Sequence, residues 1–237
     1  MRTALLSVTC LVATSVIAAA GVPPSDTPSA GLTILVDRFL SSAGRPLTSY
    51  RALRTLEAET RGGKMRARLT ARTSLDPVEG FQYTVVDEDG AGMIRQKVLR
   101  AALEAERSLR ASGEAERGAL TTANYEFTAA DRAESGLVHI GIRPRRRDTM
   151  LLEGRIVLTE HDADLLRIEG SLIKRPSFWT RRVDVVRRYA RIGGVRVPVA
   201  MQSIAQVMIV GQSTFSMTYQ YESINGEPVE RSIGRHP

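Results

Sequence analysis

The chain has 237 residues, with 33 Lys+Arg against 26 Asp+Glu and a net charge of +7; 43% of it is apolar, 25% charged and 5% aromatic. That balance excludes a disordered chain and a collagen, and a single cysteine excludes a disulfide framework. With so few aromatics, aliphatic side chains have to fill most of the core.

The amino terminus reads Met1-Arg2, then runs uncharged to Ser25, with an apolar stretch ending in Ala18-Ala19-Ala20. One positive charge, a short apolar stretch and small residues describe a secretory signal peptide, residues 1–20. Ser7, Thr9, Thr14 and Ser15 interrupt the stretch, so it is weak as a permanent span; an uncleaved anchor is the alternative. Cleavage after Ala20 removes Cys10 and leaves 217 residues without a thiol, which excludes cysteine catalysis and thiolate metal sites. Residues 21–31, with Pro23, Pro24 and Pro28, read as a flexible linker. The expected location is the periplasm or outside the cell.

A short helix is predicted over Leu32–Ser42, because Leu32, Leu35, Val36, Phe39 and Leu40 recur with the 3.6-residue period. Three strands follow. Tyr50–Thr60 alternates imperfectly. In Lys64–Thr73, Met65, Ala67, Leu69 and Ala71 face one way, and Lys64, Arg66, Arg68, Thr70 and Arg72 the other. Phe81, Tyr83 and Val85 belong to the third strand, and the turns between them point to an antiparallel meander.

A long helix is predicted over Ile94–Ala111. Ile94, Val98, Ala101, Ala102, Ala105 and Leu109 form its apolar stripe, which Leu99 and Leu103 widen, and Ser112-Gly113 stops it. Seven more strands follow at Tyr125–Thr128, Leu137–Ile142, Met150–Thr159, Leu165–Leu172, Trp179–Tyr189, Val195–Val210 and Ser213–Ser223, joined by short turns. Short connections pair strands antiparallel, and about ten strands curl. The expected fold is α+β and mostly β: an incomplete antiparallel barrel wrapped around the long helix, assisted by the short one. The domain is placed at residues 32–224, with a flexible tail at 225–237.

The order of these elements resembles the outer-membrane lipoprotein-sorting (LolA-like) family over roughly Leu32 to Ile224. Leu152-Glu153-Gly154-Arg155-Ile156, Arg167-Ile168-Glu169-Gly170, Ser177-Phe178-Trp179 and Arg187-Arg188-Tyr189 look like its divergent bacterial members. The resemblance implies an incomplete barrel closed by helices around an apolar cavity. It implies a carrier of lipoprotein acyl chains, or a related module that senses envelope stress. The carrier has a functional arginine on a strand; Arg54 is a conceivable counterpart, but no motif fixes the alignment, so the role is not assigned.

Enzyme signatures are poor. His139, His161 and His236 have no metal-ligand spacing, and there is no Gly-x-Ser-x-Gly elbow. Glu160, Asp162 and Asp164 cluster at a hairpin tip, where an ordinary turn competes with a weak calcium site. No cofactor and no catalytic or metal residue is predicted. Arg143, Arg145, Arg146 and Arg147, backed by Arg181, Arg182, Arg187 and Arg188, form a basic patch. It reads as a solvated face or as a contact for lipid head groups or an anionic membrane surface. Export argues against nucleic acid. Met65, Leu69, Val98, Leu103, Ile156, Ile168 and Trp179 line the inside; they are core if the helix fits tightly and a pocket wall if it leaves room. The leading expectation is therefore a non-enzymatic binding protein for acyl chains of lipids or lipoproteins. The second is an envelope-sensing or interaction module with a filled barrel and a protein partner, and the third a hydrolase.

Overall fold

A computed structural model describes residues 30–41, 44–134, 136–174, 180–208 and 211–230, with the side chains of 30, 115 and 129–134 excepted. The expected signal peptide, most of the linker, Phe178, Trp179, His236 and the end of the tail lie outside the described residues.

Ten strands form one antiparallel sheet: β1 (Tyr50–Thr60), β2 (Met65–Asp76), β3 (Gly80–Gly90), β4 (Tyr125–Glu134), β5 (Leu137–Pro144), β6 (Leu152–Thr159), β7 (Leu165–Leu172), β8 (Thr180–Ile192), β9 (Val195–Val207) and β10 (Gly211–Ile224). A two-residue β11 (Glu227–Pro228) pairs with β10. The order is β3-β2-β1-β10-β9-β8-β7-β6-β5-β4. Chain neighbours pair as antiparallel hairpins within β1–β3 and within β4–β10, and the first meander joins the rest through β1 on β10. Among the described residues, β3 and β4 remain as edges, so the sheet is an open, incomplete barrel.

Two helices lie on its inner face. Helix α1 (Ala30–Ser41) begins two residues inside the stretch expected as linker. Helix α2 is one rod of 20 residues built from Gly92–Ile94, Arg95–Arg100 and Ala101–Ala111, and it joins one sheet edge to the other. Gly113, at φ 71°, ends it in the left-handed conformation that glycine adopts without a steric penalty.

The sheet carries two buried clusters. The first joins Leu56, Leu69, Phe81 and Met217 to Ile94, Leu99 and Leu103 of α2. The second joins Ile140, Ile156, Leu158 and Ile168 to Leu32, Val36 and Phe39 of α1. Met201 of β9 packs against both.

Two expectations need correction. Val98 is 40% exposed, whereas Leu99 is fully buried. The cause is the middle of α2: Arg95–Arg100 is π-helical, with hydrogen bonds spanning five residues instead of four. That extra residue advances the buried phase by one position. Val98, Ala101 and Ala105 turn to solvent, while Leu99, Leu103 and Glu106 turn toward the sheet. The second correction is the tail, which does not begin at 225. Ile224 pairs with Glu227 around Asn225-Gly226, at φ 50° and 83°. That is the two-residue hairpin favoured by Asn-Gly. The Asn225 side chain also accepts from the Thr48 backbone N–H at 2.8 Å and donates to the Pro46 carbonyl at 2.8 Å.

Candidate functional site on the inner face

Strand register builds one row across the inner face. Leu69 stands opposite Leu56, Leu56 opposite Met217, Met217 opposite Met201, and Met201 opposite Arg187. Arg187 stands opposite Ile168, Ile168 opposite Ile156, and Ile156 opposite Ile140. Directly paired residues project from the same face. The row therefore crosses eight strands with seven apolar side chains and one arginine. Its ends lie buried under the helices: Leu69, Leu56, Ile156 and Ile140 have no exposure. Its middle, Met201 and Arg187, is half-buried. Phe215, Tyr219, Val183 and Tyr189 on the same central strands are half-buried too. The uncovered stretch of inner face thus lies between the two helices.

Two residues along β1 from Leu56 stands Arg54, between Ala52 and Leu56 on the same face, at 2% exposure. Its guanidinium meets Glu106 of α2 in a two-pronged contact, Nη1–Oε2 at 2.6 Å and Nη2–Oε1 at 3.2 Å. It also donates to the Tyr50 hydroxyl. The rings of Tyr219, Phe81 and Tyr50 surround it at 4.5, 5.0 and 5.7 Å. A cation over aromatic faces gains from the ring quadrupole, most strongly where water is excluded. Arg110 gives Glu106 a second partner at 3.1 Å. Burial works to raise the Glu106 pKa, but the hydrogen bond and charge of Arg54, joined by Arg110, hold it below the ordinary 4.5. Burial pushes the Tyr50 phenol up to about 12 against the pull of Arg54. At neutral pH the cluster is therefore a neutral phenol beside a closed ion pair, and that pair ties α2 to the sheet.

Arg187 is the contrast. The Nε of both arginines is buried without a hydrogen-bond partner, but the other nitrogens of Arg54 are taken by Glu106 and Tyr50, whereas among the described residues no ion pair or hydrogen bond reaches any part of the Arg187 guanidinium. Burial raises the pKa values of Tyr125 and Tyr219, and the charge of Arg187 acts against that rise in both. The cation thus lies within electrostatic reach of phenols from both halves of the sheet.

Leu69 and Leu103 are fully buried together beneath α2, and Met65 is partly buried beside them. Ile156 and Ile168 belong to the other cluster, beneath α1. In the basic patch, Arg145 donates to the Thr122 carbonyl at 2.8 Å, and Arg146 bonds Asn124 and the Arg117 carbonyl. Both brace the segment that returns from α2. Arg143 stands 3.6 Å from Glu153, and Arg147 is exposed. Arg187 does not belong with that patch, because it faces inward. Asp164 is taken by Arg191 and Arg196, at 2.7 and 3.2 Å. Among the described residues no three His, Cys, Asp or Glu side chains converge as a metal site.

The inward arginines were both readable as interruptions of an alternation. Tyr50, Ala52, Arg54, Leu56 and Ala58 share one face, as do Val183, Val185 and Arg187. Arg187 and Arg188 are successive residues of β8 and so face opposite sides of the sheet.

No family model and no curated protein matches the sequence. Among solved structures, a DUF1329 family protein from Desulfovibrio piger ATCC 29098 is similar at a TM-score of 0.37 and 8% identity, over 86% of this chain and 94% of that one. A LolA superfamily protein from Nitrosomonas europaea is similar at a TM-score of 0.36 and 7% identity, over 80% of this chain and 91% of that one. The second bears the name of the family that the sequence resembles. Likeness of this degree assigns no activity, and the architecture rests on the strand order and register given above.

Proposed function

We propose that the protein is an exported, non-enzymatic binding protein that shelters an acyl chain on its inner face. The observation that carries this reading is the half-buried centre of the cross-strand row, where Met201, Phe215 and Tyr219 lie between two closed clusters. Apolar surface open on one side is a binding surface for aliphatic ligands. Each methylene moved from water contributes about 0.8 kcal/mol, so a long chain binds without covalent chemistry. Widening the space beneath α2 means parting Arg54 from Glu106, which makes that pair the resistance to entry. Among the described residues no helix is long and apolar enough to cross a membrane. Export rests on the amino-terminal pattern of residues 1–20, and the apolar lining on the half-buried side chains of the central strands, because Leu69, Leu103, Ile156 and Ile168 are buried within the two clusters. Arg143, Arg145, Arg146 and Arg147 are all exposed and are the candidates for a membrane surface, Arg145 and Arg146 being also hydrogen-bonded to the segment that returns from α2.

The test is native mass spectrometry of protein purified gently from the periplasm. The expected result is a population carrying an acyl-chain mass, which delipidation removes and added lipid or lipopeptide restores. Repeated recovery of bare protein without uptake of either refutes the reading.

The second reading, an interaction or sensing module with a filled barrel, draws on the closed packing under α2, where Leu56, Leu69, Leu99 and Leu103 have no exposure. Met93 and Val98 on the outside of α2, at 59% and 40% exposure, then offer partner contacts. Cross-linking in the cell envelope separates the two: a specific protein adduct through α2 favours the module, and lipid adducts alone favour the carrier.

A further inference from the structure

We infer that Arg187 is the anchor for the oxyanion of a single-chain amphiphile, so that the ligand of the inner face is an acid and not a neutral lipid. The inference rests on the carrier reading and deepens it. The row from Leu69 to Ile140 holds one charge, and it stands beside Met201 in the half-buried middle of that row. Its two cross-strand neighbours, Ile168 and Met201, offer it no polar atom that neutralises a cation. A cation withdrawn from water costs free energy unless an anion or acceptors meet it. Arg54, on the same face, meets that requirement internally with Glu106; Arg187 has no such partner among the described residues. Its Nε–H, left without an acceptor, is one prong of the side-on fork by which guanidinium grips a carboxylate or phosphate. Met201 stands opposite Arg187 and the phenols of Tyr125 and Tyr219 lie within its electrostatic reach, surfaces that suit the alkyl chain attached to such a group.

The experiment compares delipidated full-length protein with palmitate, hexadecyl phosphate and methyl palmitate, read by displacement of a fluorescent polyene fatty acid. Wild type is expected to bind at least one of the two anions about tenfold or more tighter than the ester, as a charge-assisted hydrogen bond requires. Arg187→Met is expected to lose that preference while keeping its affinity for the ester, and Arg187→Lys to recover part of it. A melting temperature of Arg187→Met equal to or above wild type shows that the loss is not misfolding. If that variant melts lower, Arg187→Gln takes its place in the same comparison. Tighter binding of hexadecyl phosphate assigns a phosphate headgroup, and tighter binding of palmitate a free fatty acid. Equal binding of acid and ester by wild type, or an unchanged preference in the variants, overturns the assignment of Arg187 and leaves the carrier reading standing. Failure of wild type to bind any of the three overturns both.

Discussion

Arg54 and Arg187 occupy the same face of one sheet, and the difference between them is the presence of a carboxylate. Arg54 is closed off by Glu106, which retains 22% exposure. Removing one member of a buried pair leaves the other charge uncompensated, at a cost of about 3–5 kcal/mol. Glu106→Ala is therefore expected to lose about 3 kcal/mol in urea unfolding, the low end of that range because Glu106 is not fully enclosed. The double replacement Arg54→Met, Glu106→Leu is expected to recover most of the loss. The same pair sets an acid response. A carboxyl held below its ordinary 4.5 adds stability that is complete above that value and disappears as the pH falls toward the folded-state pKa. Wild type is expected to lose stability more steeply than Glu106→Gln below about pH 4.5, with both measured by denaturant midpoint from pH 7 to 3. Parallel curves refute the assignment of that slope to Glu106. Asp148 and Asp164 remain in both proteins, so their own lowered pKa values cancel in the comparison.

Helix α2 carries its function in its phase. An uninterrupted α-helix from Ile94 presents Val98, Ala101 and Ala105 to the sheet; the π-helical stretch presents Leu99, Ala102 and Glu106 instead. The ion pair with Arg54 is thus a consequence of one inserted residue. Deleting Gln96 is expected to restore ordinary helical hydrogen bonding with Leu99 one turn from Ile94, and to leave the melting temperature within a few degrees of wild type. Deleting Ala105 turns Glu106 by about 100° away from Arg54. That deletion is expected to lower the melting temperature by roughly 6–12 °C, which corresponds to about 3 kcal/mol in a domain of this size. Equal effects of the two deletions, followed by circular dichroism, argue against the phase as the cause. In β6 and β7, Gly154 and Gly170 face each other in register, and a Cβ on Gly154 would collide with the Glu169 carbonyl. Only glycine allows that approach of the two backbones.

The two clusters meet at Met201 and are capped by different helices, so they are expected to respond separately. Phe39 of α1 is 3% exposed and lies under Arg196, whose guanidinium stands 5.1 Å from the ring. Phe39→Ala is expected to cost about 3 kcal/mol through the cavity it leaves. Hydrogen exchange then rises in β5, β6 and β7, while β1 and β2 keep their protection. Uniform loss of protection across the sheet refutes independent halves. An acyl chain bound across the centre touches both halves, and binding is expected to suppress that difference.

Local patterns settled much of this architecture. Alternation in Met65–Ala71 set the inner face of β2, and Gly193-Gly194 marked the turn between β8 and β9. Such signals are legible because a strand or turn constrains residues one or two positions apart. Asn225-Gly226 is a local signal of the same kind, since the pair suits a two-residue hairpin. The pairing of β1 with β10, the division of the interior between two helices, and the meeting of Arg54 with Glu106 arise from contacts over 50 to more than 160 residues. No local period encodes them. The phase of α2 belongs with these, since a helix of uniform pitch satisfies its own sequence equally well; it is packing against β1–β3 that favours the π-helical turn. The solitary charge at the centre of the inner face emerges only once eight strands are set in register.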